Sequence, residues 1–388
     1  MYLKGRYYWN KRTPDDLNKT VDLFTQAIVH DPGYAKVYAG LADTYNLLRE
    51  FFLMPSNQAF SRSLAAARRA VELDGGLADA HNSLAFASFY GAWDFASAER
   101  EFQRAIELDP KYATAYHWYA NALLAFGRFE GALAKIARAR QLDPNSVSIL
   151  ADRGFILYGA GWRAEAIAPL TEVAADDPSF QSPHSYLAQI YLVRGAYPEY
   201  LTQAKLRAQL AHDVDGLAVE AAAEKGWADG GARGLLEATF EAQKALCSED
   251  RLPASTLLGR KAEALAYLHA ALDKHEMQLV ALAVDPSFAG LHGEAGFADI
   301  VARVGMPGVK RSGSGDPPQA WTPAPPHHST DGLFSSTGMR CSLAKASLRM
   351  PVTCQDIFMP GRPPPILNWL PETSLATYTG AKPPMQVS

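Results

Sequence analysis

The chain has 388 residues, enough for two or three ordinary domains or for one elongated array. Its 37 basic residues nearly balance 41 acidic ones for a net charge of −4, which excludes the positive excess of a phosphate-backbone binder or a basic membrane-surface helix. Cys247, Cys341 and Cys354 are odd in number and far apart, so neither a disulfide framework nor a zinc site is indicated.

The N-terminal stretch "MYLKGRYYWNKRTPDD" is aromatic and charged, without the apolar core of a signal peptide. No later run approaches the apolar length needed to span a bilayer. A cytoplasmic chain with no membrane insertion and no direct nucleic-acid binding is therefore expected. Thr20, Phe24, Ala27 and Pro32 read as the second helix of a helix pair. Gly5 and Tyr8 match the middle of its first helix, so the chain is expected to start inside a repeat.

From there the same stop signal returns. It is "HDPGY" at Pro32, "LDGGL" at Gly75, "LDPKY" at Pro110, "LDPNS" at Pro144, "DDPSF" at Pro178 and, with the proline lost, "AHDVD" at His212. The steps are 34 or 35 residues except the first, which is 43 and contains the insertion "REFFLMPSNQ". Phe51, Phe52, Leu53 and Met54 in that insertion are expected to fold back over the second helix, with an exposed partner patch as the alternative.

Each unit has a mechanical order. Counting from Ala113, bulky Tyr116 and Tyr119 precede small Ala120, then come Leu123, Gly127, Ala132, Ile136, Ala139 and Pro144. The next unit repeats it with Leu150, Gly154, Leu157, Gly161, Ala166, Leu170, Val173 and Pro178. Bulky residues at helical spacing form one apolar stripe per helix. Small residues at the eighth, twentieth and twenty-seventh places let two backbones approach. Glycine at the fifteenth supplies the left-handed residue that ends the first helix. The Asp-Pro ends the second, because proline cannot continue it.

After Asp213 the register weakens. "GLAVEAAAEKGWADGGARGLLEATFEAQKAL" reads as a helix pair about Gly230-Gly231, and the helix from Lys261 to Lys274 has only a short or missing partner before Gly259. Phe288, Leu291, Phe297 and Ile300 are placed to close an exposed end. Fourteen of the 25 prolines follow Met306, so 1–306 is assigned to the solenoid and 307–388 to a Pro-rich disordered tail.

The pattern resembles the tetratricopeptide repeat, a 34-residue helix–turn–helix unit, from about Tyr2 to Arg303. That resemblance implies an all-α fold, a right-handed superhelix of antiparallel helix pairs with first helices lining a concave groove. In that geometry the second, fifth, ninth and twelfth places of each first helix face the groove. The candidate peptide-binding set is then Asp43, Asn46, Asn82, Phe86, His117, Asn121, Phe155, Tyr158 and Gln189. Amides suit a peptide backbone and aromatics grip side chains. Phe86 and Phe155 read equally well as core. The Lys–Asn carboxylate clamp of chaperone-binding relatives is unsupported, since Ala39/Asp43, Asn82/Phe86 and His117/Asn121 stand at the matching places.

No phosphate-cradling glycine loop, nucleophile elbow or zinc-binding H-E-x-x-H is present. His269 and His275 are six apart and share no ligand face, and the His327-His328 pair lies in the tail. No catalytic residue, metal or cofactor is expected. "YLKGRYYWNKRTPDDLNKTVDLFTQAIVHDPGYAKVYAGLADTYNLL" and the closing "VDPSFAGL" with "VARVGMP" look like the tetratricopeptide region of bacterial signalling regulators. There the repeats follow a winged-helix, serine/threonine-kinase or nucleotide-cyclase domain. What this implies is a sensing or scaffolding half that binds a protein or peptide. The alternatives are a substrate-recruiting accessory to a separate transferase or kinase, and a non-functional remnant.

Overall fold

The computed structural model describes residues 1–51, 53–246 and 252–307. The chain divides into two units, Met1–Pro326 and His327–Ser388, the second lying wholly outside the described residues, as does almost all of the tail assigned to 307–388. Among the described residues the fold is all-helical, built of stacked helix pairs.

The pairs follow one another in chain order: α1 (Tyr2–Lys11) with α2 (Pro14–His30), α3 (Ala35–Glu50) with α4 (Ser56–Leu73), and α5 (Ala78–Phe86) with α6 (Phe95–Leu108). Next come α7 (Ala113–Ala125) with α8 (Phe129–Leu142), α9 (Val147–Gly159) with α10 (Arg163–Asp176), and α11 (Gln181–Arg194) with α12 (Tyr197–Leu210). Each first helix also packs on the first helix of the next unit, from α3 through α11, and each second helix packs on the first helix that follows. One hairpin cannot bury its own stripe, and this stacking buries it.

The punctuation works as the repeat order demands. Gly127, Gly161 and Gly195 take positive φ of 69°, 93° and 73° where the first helices end. Between α5 and α6 a π-helical turn, Ala87–Ala92, carries the chain one residue further, and Trp93 takes the left-handed place with φ 53°. The aspartates of the stop have their own task. The carboxylates of Asp31, Asp74, Asp109 and Asp177 accept the amide two residues on, at 2.9–3.2 Å, closing a tight turn before the next helix.

The small places are close contacts. Ala120, Ala132 and Ala139 are wholly buried, and a methyl carbon added at Gly154 would stand 2.6 Å from Leu170 Cγ. In the insertion, Phe51 is buried and Leu53 and Met54 pack against the core, while Phe52 lies outside the described residues.

Beyond α12 the order loosens. Helix α13 (Val214–Ala245) is broken at Gly230-Gly231, where Gly231 adopts φ 59°, ψ −143°, and its two arms meet at Gly226 and Gly234. Helix α14 (Leu252–Leu257) is a six-residue partner for α15 (Lys261–Asp273), and α16 (Ala295–Val304) follows. The segment between α15 and α16 departs from the simple closing role. Its 3-10 turns, Met277–Ala281 and Pro286–Leu291, run back towards the middle of the array, the first touching α7 and the π-helical turn. Leu279, Val280, Leu282, Phe288 and Leu291 join one buried cluster with Trp9, Phe86 and Trp118.

Candidate functional site

The returning segment, hereafter the strap, is anchored at three points. Glu276 Oε2 accepts from Arg49 Nη2 at 2.5 Å and from the Ser56 hydroxyl at 3.0 Å, across 227 and 220 residues of sequence. His275 stacks on Trp93 with ring centroids 3.5 Å apart. At the far side Asp285 accepts from Gln189 Nε2 at 3.1 Å and from the Ser287 amide at 2.8 Å.

Beneath the strap lies a cavity of about 210 Å³. First helices supply one wall: Glu50 of α3, Phe86 of α5, Trp118 and Asn121 of α7, Asp152, Phe155 and Tyr158 of α9, and Tyr186 and Gln189 of α11. Tyr90 from the π-helical turn and Arg12 complete that side, and Met277, Gln278, Val284 and Asp285 of the strap form the other. The aromatic rings support one another: Phe86 sits 4.5 Å from Tyr90 and 4.7 Å from Trp118, and Phe155 stacks on Tyr186 at 4.5 Å.

Its three carboxylates differ in kind. Asp152 is saturated: Oδ2 accepts from His117 Nε2 at 2.6 Å and Asn121 Nδ2 at 2.7 Å, and Oδ1 accepts from the Tyr186 hydroxyl at 2.6 Å. Burial pushes its carboxyl up, but the facing His117 and these donors outweigh that and hold it below the usual range. Burial raises Asp285, with its two donors pulling the other way. Glu50 has no such donors: burial pushes it up to about 7, Arg12 opposing and Asp152 adding to the rise. Burial likewise holds the Tyr90, Tyr158 and Tyr186 phenols above their ordinary range.

Of the residues expected in the groove, Phe86, Asn121, Phe155, Tyr158 and Gln189 are brought together here. His117 stands behind the wall as a donor to Asp152. Asp43, Asn46 and Asn82 do not line the cavity and are wholly buried between α1, α3 and α5. Asp43 pairs with Arg6 Nη1 at 2.9 Å and accepts from the Ser83 hydroxyl at 2.5 Å, and burial pushes its carboxyl up to about 6 against both. Asn46 donates to the Ser83 carbonyl at 3.3 Å. Sequence reasoning missed Arg12, Glu50, Tyr90, Asp152, Tyr186 and the strap. Asp152 falls at the sixth place of its unit, outside the concave set, and Asp285 read as another helix stop. It is one, capping the second 3-10 turn, and faces the cavity as well.

No serine, threonine, cysteine, histidine or lysine is among the described residues that line the cavity. Among the described residues no cluster of metal-ligating side chains occurs, and no helix is long and apolar enough to cross a membrane.

Helix pairs at this period and a groove lined by first helices define a repeat-solenoid class. Residues 90–151 match the family profile described as tetratricopeptide repeat, and the stacked helix pairs around them are of the tetratricopeptide-repeat kind. It is distantly similar to the transcriptional regulator HilA of Salmonella typhimurium, 26% identical over 163 residues, 41% of this chain and 28% of that protein. The chain thus spans under a third of that relative's length. In fold it resembles the human IFIT1 dimer with PPP-AAAA, at 18% identity, 72% coverage of this chain, 70% of that chain and a TM-score of 0.50. A monomeric IFIT1 mutant with m7Gppp-AAAA gives 16%, 75%, 67% and 0.51.

Proposed function

We propose that this chain is a non-enzymatic interaction scaffold, the sensory or regulatory part of a bacterial regulator, and that it binds a peptide segment of a partner on its concave face. The tetratricopeptide fold is a protein-interaction fold, and the similarity to HilA is what points to regulation. The carrying observation is the strap itself. A non-α-helical peptide stretch is already seated on the array by an ion pair to Arg49 of α3, a ring stack on Trp93 and a side-chain hydrogen bond from Gln189 of α11. A surface that takes such a stretch in cis has the chemistry to take one in trans.

Two other activities are disfavoured by the lining. Carboxylates with pKa values pushed apart are the signature of glycoside hydrolysis, but both Asp152 oxygens are occupied by donors, which removes it as nucleophile or base. The RNA ends named with IFIT1 carry phosphates, and three carboxylates facing one Arg12 repel them.

The test uses the strap as probe. A labelled peptide spanning 274–292 is titrated by fluorescence anisotropy into the full chain and into its Glu276→Ala variant, whose own strap is less firmly held. Binding to the variant that exceeds binding to wild type is expected, and Asn121→Ala should weaken it. No binding to either chain would remove the groove as a peptide site.

A further inference from the structure

The insertion "REFFLMPSNQ" breaks the repeat period and builds something the other units lack. Elsewhere the joint between first and second helix turns on one left-handed glycine, at Gly127, Gly161 and Gly195. Here the chain loops back, and the Leu53 and Met54 amides both donate to the Leu48 carbonyl, at 2.8 and 3.1 Å. That loop sets Arg49, in the last turn of α3, against Ser56, the first residue of α4. Arg49 Nε donates to the Ser56 hydroxyl oxygen. Both side chains then donate to one strap atom, Glu276 Oε2, at 2.5 and 3.0 Å. Arg49 is 3% exposed and Ser56 8%, so this charge-assisted contact is made away from water. It lies at the N-terminal end of α4, whose dipole favours a negative charge. Beside it Trp93, at φ 53°, offers its ring to His275, with the two planes 22° apart.

We infer that Arg49 and Ser56 form a carboxylate clamp that selects the partner segment, and that the strap is its built-in competitor. The segment it fits carries a flat ring next to a glutamate, with apolar residues following. This inference rests on the reading that the concave face takes a partner's peptide. A segment that displaces the strap also takes Glu276 away, so it must bring an anion of its own to the buried Arg49. A lysine in that place meets a like charge. An amide keeps the hydrogen bonds and loses the charge. The ring is needed because Trp93 loses the face that His275 covers. The apolar residues are needed because Leu279, Val280 and Leu282 of the strap are only 2–3% exposed, and their places must stay filled. Being tethered, the strap competes at a high effective concentration, so segments that match only in part are turned away.

The experiment titrates labelled peptides spanning 274–292 into the full chain carrying Glu276→Ala, with amide exchange across 277–291 reporting release of the strap. The unaltered peptide should bind. The same peptide with Glu276→Gln should bind about tenfold or more weakly, with Glu276→Lys not measurably, and with His275→Ala about threefold or more weakly. A peptide of the same residues in scrambled order should not bind. Adding Arg49→Met to the chain should reverse the order, so that the Glu276→Leu peptide binds more tightly than the unaltered one. That reversal is a ratio within one chain, which general loosening of the fold cannot imitate. Should Arg49→Met fail to fold, the peptide series on the Glu276→Ala chain decides alone. Equal binding of the glutamate, glutamine and lysine peptides overturns the clamp and leaves peptide binding standing. Equal binding of the scrambled peptide overturns the ring–glutamate order in the same way. A strap as protected in Glu276→Ala as in wild type overturns its part as competitor. A released strap with no peptide bound overturns both this inference and the reading beneath it.

Discussion

Single residues here are read most clearly where burial and charge oppose each other. Glu220 of α13 is 3% exposed, and its Oε2 meets no partner. Burial pushes its pKa from 4.5 up to about 7, while Arg207 and Tyr200 act against the rise. The folded chain therefore holds a proton that the unfolded chain has released. The stability tied to that proton is full below pH 4.5 and is lost as pH climbs through about 7. Glu220→Gln removes the titration. The variant's unfolding free energy, measured by urea melts, should gain on wild type by about 2–3 kcal/mol between about pH 5 and about pH 8. A difference that stays flat over that range would show that the carboxylate is solvated in the folded state.

Helices, and the joints between them, were the part most legible in the sequence. Their signals are local: an apolar stripe, a glycine with positive φ, a small residue where two backbones meet, an aspartate that closes a turn. Gly127, Gly161 and Gly195 occupy the left-handed places that their spacing indicates. Gly154 shows why the eighth place is small, since α9 and α10 approach there until even a methyl group meets Leu170 Cγ at 2.6 Å. Gly154→Ala improves helix propensity yet forces the Leu170 side chain aside. The clash is expected to win, with a net loss of about 1–3 kcal/mol in chemical denaturation. Adding Leu170→Ala in the same chain should recover part of the Gly154→Ala penalty, because the space then exists. The extra residue of the π-helical turn was not legible, because Trp93 simply takes over the role of the missing glycine.

At the scale of the whole molecule, the site was only half legible, and the reason is range. A repeat period reports contacts between one unit and the next. It carries no information about a segment that returns across the array, such as the pairing of Arg49 with Glu276 over 227 residues. Asp43, Asn46 and Asn82 were placed in the groove by the same neighbour-only logic, although α1 and α5 bury them. The strap's anchor makes this long-range closure testable. Arg49 and Glu276 are 3% and 7% exposed, so removing one partner leaves a buried charge, at a cost of about 3–5 kcal/mol if the strap stays docked. Undocking lets that charge reach water and lowers the cost. Glu276→Ala is therefore expected to release the strap, seen as faster amide exchange across 277–291 with α7 and α8 still protected. The double variant Arg49→Met, Glu276→Leu replaces the pair with apolar groups of similar size and should restore most of that protection. Exchange rising equally from α3 to α8 in Glu276→Ala would instead make the strap an inseparable part of the core, and peptide exchange on the groove would lose its physical basis.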